Sequence, residues 1–600
     1  MRKEPTPTRH SLPLRGGDFA TLAEALDYAA KGETGCNFYT SRGQLGAVLP
    51  YSELRDRARS LARRLNSLGL ERGSRVALVA ETDPDFLRFF FACQYAGLVP
   101  VPLPVAIQLG SHSAYVEQLR SLLISCQASV AMALDGFAPF LAEAAEGLGL
   151  RLLGDPDVFD ALPEHISELK PLMPDELAYI QYTSGSTRFP RGVMIKQRAV
   201  MHNLGGILKY GLQIRRGDRC FSWLPYYHDM GLVGFVLGPV ASQLSVDYLR
   251  TRDFAMRPRQ WLALMSQTRA TISFSPSFGY ELCVRRLREE DRDKFDLSAW
   301  RIAGAGAEKI RPEPLEQFSE LLADSGFSDK AFLACYGMAE CSLGISFAPL
   351  HQGLDVDLID GERLAEDHVA IPINAGRKPR TASPTSWATS FVNCGMPLPD
   401  FEIEIRDDQD QTLLDRECGT IYVRSPSVMT GYFGDPEHTR EVLSEDGWLN
   451  TGDIGYRLGD SVVITGRKKD LIIINGRNLW PQDLEYVAEA QPEVRTGNAS
   501  AFAVPGTDGC DQAVLVIQVN AKDAARRANL SKRVQRMVRE QFGINCLVEL
   551  VPRHTLPRTT SGKLSRFKAR TDFLKRTAFF RKCPIETNRR EAQEELQSAM

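Results

Sequence analysis

Tyr182-Thr183-Ser184-Gly185-Ser186-Thr187-Arg188-Phe189-Pro190-Arg191-Gly192 crowds hydroxyls, glycines and arginines between two apolar runs. The preceding Leu177 to Tyr182 is β-branched and aromatic enough for a strand, and Val193-Met194-Ile195 predicts the next, which makes the segment a hairpin tip. Glycines let backbone N–H groups approach an anion, hydroxyls add donors, and Arg188 and Arg191 bring charge that a polyphosphate would neutralise. An ordinary Ser/Thr/Gly turn has the same composition, so the rest of the chain must decide between the two.

At 600 residues the chain exceeds the roughly 250–300 at which one core stops growing, so at least two domains are expected. A composition of 43% hydrophobic and 24% charged residues is that of a globular protein, and a formal net charge of −3 carries no global nucleic-acid or membrane signature. The start, Met1-Arg2-Lys3, leads into Pro, Thr and Gly rather than an apolar signal region. The longest apolar stretch, Met230 to Ala241, is interrupted by glycines and falls short of the ~20 residues that span a bilayer. A cytoplasmic protein without an integral membrane segment is expected. The 12 cysteines contain no C-x-x-C pair and read as buried free thiols.

Upstream of the loop, apolar residues three and four apart predict helices over Phe19 to Leu26 and Tyr51 to Leu68. Strand Arg75 to Val79, helix Asp85 to Ala96 and strand Leu98 to Val105 then alternate as in parallel α/β structure, and Tyr115 to Leu148 continues the pattern. Downstream, a helix over Arg198 to Tyr210 precedes Trp223-Leu224-Pro225-Tyr226-Tyr227-His228-Asp229-Met230-Gly231, where a His and an Asp beside aromatics suggest a pocket rim. Two strands run into small residues, Gly304-Ala305-Gly306-Ala307 and Tyr336-Gly337-Met338-Ala339-Glu340, where backbone can approach a flat ligand. Glu340, at the end of the second, is a candidate for Mg²⁺, which prefers oxygen ligands and bridges phosphates. From His351 to Thr389 no period persists. Phe401 to Ile405 and Gly419 to Arg424 alternate as half-exposed antiparallel strands, Thr451-Gly452-Asp453 reads as a turn bearing a carboxylate, and Gly466-Arg467-Lys468-Lys469-Asp470 is a charged linker at a domain boundary. Beyond it, strands and helices alternate in a compact α+β domain whose tail carries Thr560-Ser561-Gly562-Lys563.

In this order and spacing the segments resemble the adenylate-forming superfamily of acyl-CoA synthetases, luciferases and peptide-synthetase adenylation domains. The resemblance rests on the Tyr182 to Gly192 loop, Tyr336 to Glu340, Thr451 to Asp453, Gly466 to Asp470 and Thr560 to Lys563, and covers nearly the whole chain. It implies an α/β fold: a large multi-subdomain N-terminal domain, two α/β layers plus a β-layer, over 1–466, a small mobile α+β domain over 467–585, and a polar tail over 586–600. The loop with Arg188 and Arg191, the Trp223 to Leu232 motif and the 55 positions from Glu340 to Gly395 are similar to fatty acyl-AMP ligases, with 351–390 as a ligase-specific insertion.

That resemblance implies ATP and Mg²⁺, a long-chain fatty acid substrate and an acyl carrier protein as acceptor. It assigns Lys563 to the charge developing on the phosphate, Thr183 to the α-phosphate, and Ser184, Gly185, Ser186 and Thr187 to the β and γ phosphates. Glu340 would hold Mg²⁺. Asp453, aided by Arg467, would take the ribose, and the adenine would lie between Gly304-Ala305-Gly306-Ala307 and Tyr336-Gly337-Met338-Ala339. His228 would rim the acyl entrance, and Lys469 matches a hinge. Lys568, Arg570, Lys575, Arg576, Arg581 and Lys582 offer a basic face for an acidic carrier. A long-chain acyl-CoA synthetase and an inactive acyl- or nucleotide-binding module are the competing readings.

Overall fold

A computed structural model describes residues 4–8, 11–105, 112–166, 168–183, 190–288, 291, 294–373, 387–474, 477–495, 497–506, 511–520, 523–558 and 564–577. Ser184, Gly185, Ser186, Thr187, Arg188 and Lys563 lie outside them, as do Arg581, Lys582 and the tail. The chain forms two units, one built from residues 1–184, 190–357 and 390–465, the other from 185–189, 358–389 and 466–600.

The first unit holds a nine-stranded sheet whose central strands, Val246–Leu249, Cys220–Ser222, Ile272–Ser275, Ile302–Ala305 and Phe332–Gly337, run parallel. A second, all-parallel sheet combines Val99–Leu103, Arg75–Val79, Ala128–Met132 and Leu152–Gly154. Both follow from apolar runs separated by amphipathic helices. Helix Tyr51–Asn66, for example, buries Leu54, Ala58, Leu61, Ala62 and Leu65 at the three-and-four spacing seen in its sequence. A four-stranded sheet, Glu402–Arg406, Gly419–Arg424, Leu449–Leu458 and Ser461–Arg467, supplies the smaller β-layer. The helix expected over Arg198 to Tyr210 is α-helical from Gln197 to Gly206 and continues as a π-helical turn over Ile207–Gly211.

The second unit packs helices Pro481–Glu489, Ala524–Phe542 and Arg566–Thr577 with the sheet Ala499–Pro505, Asp511–Gln518 and Cys546–Val551. Helix Ala524–Phe542 starts at an Asp523 cap, ends at a left-handed Gly543, and buries Leu530, Val534, Val538 and Phe542 along one stripe.

The region 351–390, grouped above with the large domain and without a periodic pattern, departs from that expectation in two ways. Strand Val356–Asp360 and helix Gly361–Asp367, capped by Asp360, give it regular structure. Its residues 358–389 also group with the small unit, because Ala365 and Trp387 enter that unit's core and the Trp387 ring meets Phe542 edge-on at 5.2 Å. Arg477 pairs with Glu366 of the same helix at 3.0 Å. Among the described residues no helix is long and apolar enough to cross a membrane.

Candidate active site

Strand Leu177–Tyr182 pairs antiparallel with Gly192–Lys196, as the hairpin reading requires. The Thr183 amide donates to Arg191 O at 3.0 Å, closing the base of the loop. A third segment extends this ribbon: Met194 N donates to Gly431 O at 3.0 Å and Phe433 N to Gly192 O at 2.8 Å, which seats Tyr432 beside the loop base. The Arg191 guanidinium lies 5.3 Å from the centre of the Tyr432 ring, a cation–π contact. Next to the loop base on the same strand pair, Gln181 Nε2 donates to Tyr227 O at 2.6 Å and so ties the hairpin to the His228 segment.

Glu340 is 8% exposed. Burying a carboxylate is costly unless it is bonded or paired. Here the Tyr432 hydroxyl donates to the carboxylate at Glu340 Oε1, 3.0 Å away, while the Met429 amide donates to the Glu340 main-chain carbonyl at 2.7 Å. Burial, followed by the nearby Glu340 charge, pushes the Tyr432 hydroxyl well above its ordinary pKa, so it stays a donor at any physiological pH. Arg191, Tyr432 and Glu340 therefore form a continuous chain from the loop base to a buried carboxylate.

Asp453 sits within strand Leu449–Leu458 rather than in the turn its sequence suggests. The ladder to Gly419–Arg424 skips there, with Thr420 opposite Ile454 and Tyr422 opposite Asn450. Gly452, at φ 69°, supplies the left-handed residue this bulge needs. Side chains replace the lost ladder bonds: Gly452 N donates to Asn450 Oδ1 at 3.0 Å, Asp453 N to Thr451 Oγ1 at 3.1 Å, and Thr451 Oγ1 to Ile421 O at 2.8 Å. The bulge aims the Asp453 carboxylate at the Tyr336 hydroxyl, 2.8 Å away.

Tyr336-Gly337 and Gly304-Ala305 lie at the carboxyl ends of adjacent parallel strands, the place where open α/β sheets bind ligands. Their small residues also serve the protein's own packing. A Cβ at Gly304 would overlap the Phe274 ring, one at Gly306 would crowd Cys335 Sγ, and one at Gly337 would overlap Leu343 O. Ala307 takes a positive φ of 67°. Met338 and Ala339 are buried, and Met338 N donates to Leu343 O at 2.8 Å. His228 caps the short helix Asp229–Leu232, with its Nδ1 2.5 Å from Asp229 Oδ1.

In the second unit, Arg467 is exposed at the end of strand Ser461–Arg467. On either side of Lys563 in the sequence, Arg558 and Leu564 form an isolated bridge and Ser565 N donates to Pro557 O at 3.0 Å. Arg566 forks onto Glu485 at 2.8 and 2.7 Å and reaches Asp470 at 2.9 Å. The basic face proposed for a carrier is partly consumed: Arg570 donates to Ala503 O at 2.9 Å and Arg576 pairs with Glu549 at 2.7 Å, while Lys568 and Lys575 are exposed.

The large unit thus brings together Thr183, Arg191, Glu340, Tyr336 and Asp453. Tyr432 was missed by sequence reasoning, although the flanking glycines of Thr430-Gly431-Tyr432-Phe433-Gly434 signal a close approach of backbone.

Residues 37–433 match the family described as AMP-binding enzymes, and the chain belongs to that family. Its α/β fold is that of adenylate-forming enzymes. The chain is 47% identical over 571 residues to a Caulobacter vibrioides protein provisionally named an acyl-CoA synthetase, covering 95% of this chain and 98% of that one. It is 30% identical to the medium-chain-fatty-acid–[acyl-carrier-protein] ligase JamA of Moorena producens, covering 93% and 96%. It superposes with a TM-score of 0.89 and 46% identity on a structure from a study of fatty acyl-adenylate ligases of E. coli and L. pneumophila, covering 94% of this chain and 100% of that chain.

Proposed function

We propose that this protein activates a long-chain fatty acid as its acyl adenylate and passes the acyl group to the phosphopantetheine thiol of an acyl carrier protein. The observation that carries the first half is the convergence of the Thr183–Arg191 loop base, Glu340 and Asp453 at the carboxyl ends of parallel strands. In the first step a carboxylate oxygen of the fatty acid bonds to the α-phosphorus of ATP, and the α–β P–O bond breaks with its electron pair leaving on pyrophosphate. In the second, the thiol sulfur bonds to the acyl carbon, AMP leaves, and the thiol proton is lost.

Residues 184–187 cradle the β and γ phosphates, Thr183 lies nearest the α-phosphate, and Asp453 accepts from the ribose hydroxyls with help from Arg467. The adenine rests between Gly304–Ala307 and Tyr336–Ala339. Lys563 brings positive charge to the phosphate during adenylation, and His228 borders the acyl path. Glu340 is suited to Mg²⁺, since its buried carboxylate is oriented by the Tyr432 hydroxyl beside the loop base. Mg²⁺ is commonly held by one or two carboxylates together with phosphate oxygens, and there it would offset phosphate charge.

The JamA likeness and the 351–390 insertion support a carrier as acceptor, whereas the name of the Caulobacter relative supports coenzyme A as the second reading. Incubation with ATP, fatty acid and either holo-carrier or coenzyme A separates them. Turnover with the carrier and only adenylate with coenzyme A is expected, and sustained acyl-CoA production would refute the carrier reading. Lys563→Ala should abolish adenylate formation yet spare transfer from supplied acyl adenylate.

A further inference from the structure

Between Glu340 and strand Gly344–Phe347 the chain reverses in three residues. Ser342 stands at φ 67°, ψ −57°, and Leu343 N donates to Cys341 O at 2.9 Å, so Cys341 to Leu343 is a γ-turn of the strained, positive-φ kind. Other non-glycine residues at positive φ, such as Arg269 and His368, sit in the ordinary left-handed well at ψ 40° and 30°. Ser342 does not. Glycine would adopt this backbone without penalty, but only a side chain can make the bond found here: Ser342 Oγ, 1% exposed, donates to Ser427 O at 2.9 Å.

Ser427 begins the same stretch that reaches Glu340 through Met429 N and the Tyr432 hydroxyl. It is held in turn by His202, whose Nδ1 lies 2.8 Å from Ser427 Oγ. On the other side of the turn, Asn203 exchanges two bonds with Gly344, accepting from its amide at 3.0 Å and donating to its carbonyl at 2.7 Å. Three ties therefore join the Glu340 turn to residues 427–432, at the Glu340 main chain, at its carboxylate, and at Ser342. Strain that persists at such a place is held by its surroundings and is characteristic of functional sites.

We propose that Ser342 is a positioning residue, its strained γ-turn and its hydrogen bond to Ser427 together setting the direction of the Glu340 carboxylate toward a divalent cation. This rests on Glu340 as the cation ligand under the function proposed above. The test is Mn²⁺ binding, followed by electron paramagnetic resonance, to the full-length protein saturated with α,β-methylene-ATP, which cannot transfer its adenylyl group. Ser342→Gly relieves the φ strain and removes only the anchor, so it should fold, yet bind Mn²⁺ about tenfold more weakly while binding the metal-free nucleotide within twofold of wild type. Ser342→Ala, which keeps the strain, should lose as much Mn²⁺ affinity and melt lower than Ser342→Gly. Wild-type Mn²⁺ affinity in Ser342→Gly overturns the proposal. Glu340→Gln separates the two levels: if it retains Mn²⁺ binding, the ligand reading itself fails and the role of Ser342 with it, whereas if it loses binding and Ser342→Gly does not, only the positioning role fails.

Discussion

The Tyr336 hydroxyl donates to Asp453 Oδ2 at 2.8 Å, joining the carboxyl end of a parallel strand to a bulge in an antiparallel sheet. Burial, then the adjacent Asp453 charge, holds the Tyr336 hydroxyl well above its ordinary pKa, so it remains a donor throughout the working pH range. Tyr336→Phe leaves the ring in place and removes the donor. Hydrogen bonds to charged groups contribute about 1.5–3 kcal/mol, so AMP binding measured by calorimetry should weaken at least tenfold, about 1.4 kcal/mol. Wild-type affinity would mean that this bond does not orient Asp453.

Arg566 carries two carboxylates, Glu485 and Asp470, with all three side chains largely buried. Although burial disfavours its charge, the two carboxylates raise the Arg566 pKa above its ordinary value. Arg566→Ala strands both acids and should destabilise the small unit by about 3 kcal/mol in urea unfolding. Arg566→Lys keeps the charge but loses the fork onto Glu485, so its loss should fall between. Equal stability of all three proteins would show that the network contributes nothing.

Trp387 is 9% exposed and packs on Phe542, while its backbone carbonyl accepts from Gly361 N at 2.8 Å. Replacing a buried Trp by Ala costs about 3–5 kcal/mol. Trp387→Ala should therefore speed amide hydrogen exchange across residues 358–373 and in the helix end at Phe542, leaving the nine-stranded sheet unchanged. Exchange confined to the site of substitution would refute the packing role.

Burial pushes the thiols of Cys36, Cys126, Cys394 and Cys418 up to about 12 and that of Cys546 to about 11. Thiolates are the reactive form, so these cysteines should resist iodoacetamide at pH 8 in the folded protein and react once it is unfolded. Peptide mapping by mass spectrometry reads this directly. Modification of Cys36, Cys126, Cys394 or Cys546 in the native state would contradict their burial.

Much of the fold was legible because its signals are local. Strand Leu177–Tyr182 was read at its observed limits, and the alternation through Arg75–Val79 and Pro84–Ala96 needed only short-range periodicity. The 351–390 region was not, because Trp387 and Ala365 gain their meaning from a core whose other members run from Ile472 to Cys546. The Thr451-Gly452-Asp453 turn was misread for a related reason, since a left-handed glycine marks a bulge as readily as a turn until its partner strand is known.

The sequence by itself determined which chemical groups are present and in what order, because hydroxyls, glycines and carboxylates are properties of single residues and short spacings. Only the tertiary structure decided their pairings. Tyr432 lies 92 residues after Glu340 and Asp453 lies 117 after Tyr336, separations across which no local pattern carries information. The strain at Ser342 belongs to the same class. A serine two residues after Glu340 is unremarkable as a letter, and it becomes a clamp only where the chain folds Ser427 against it.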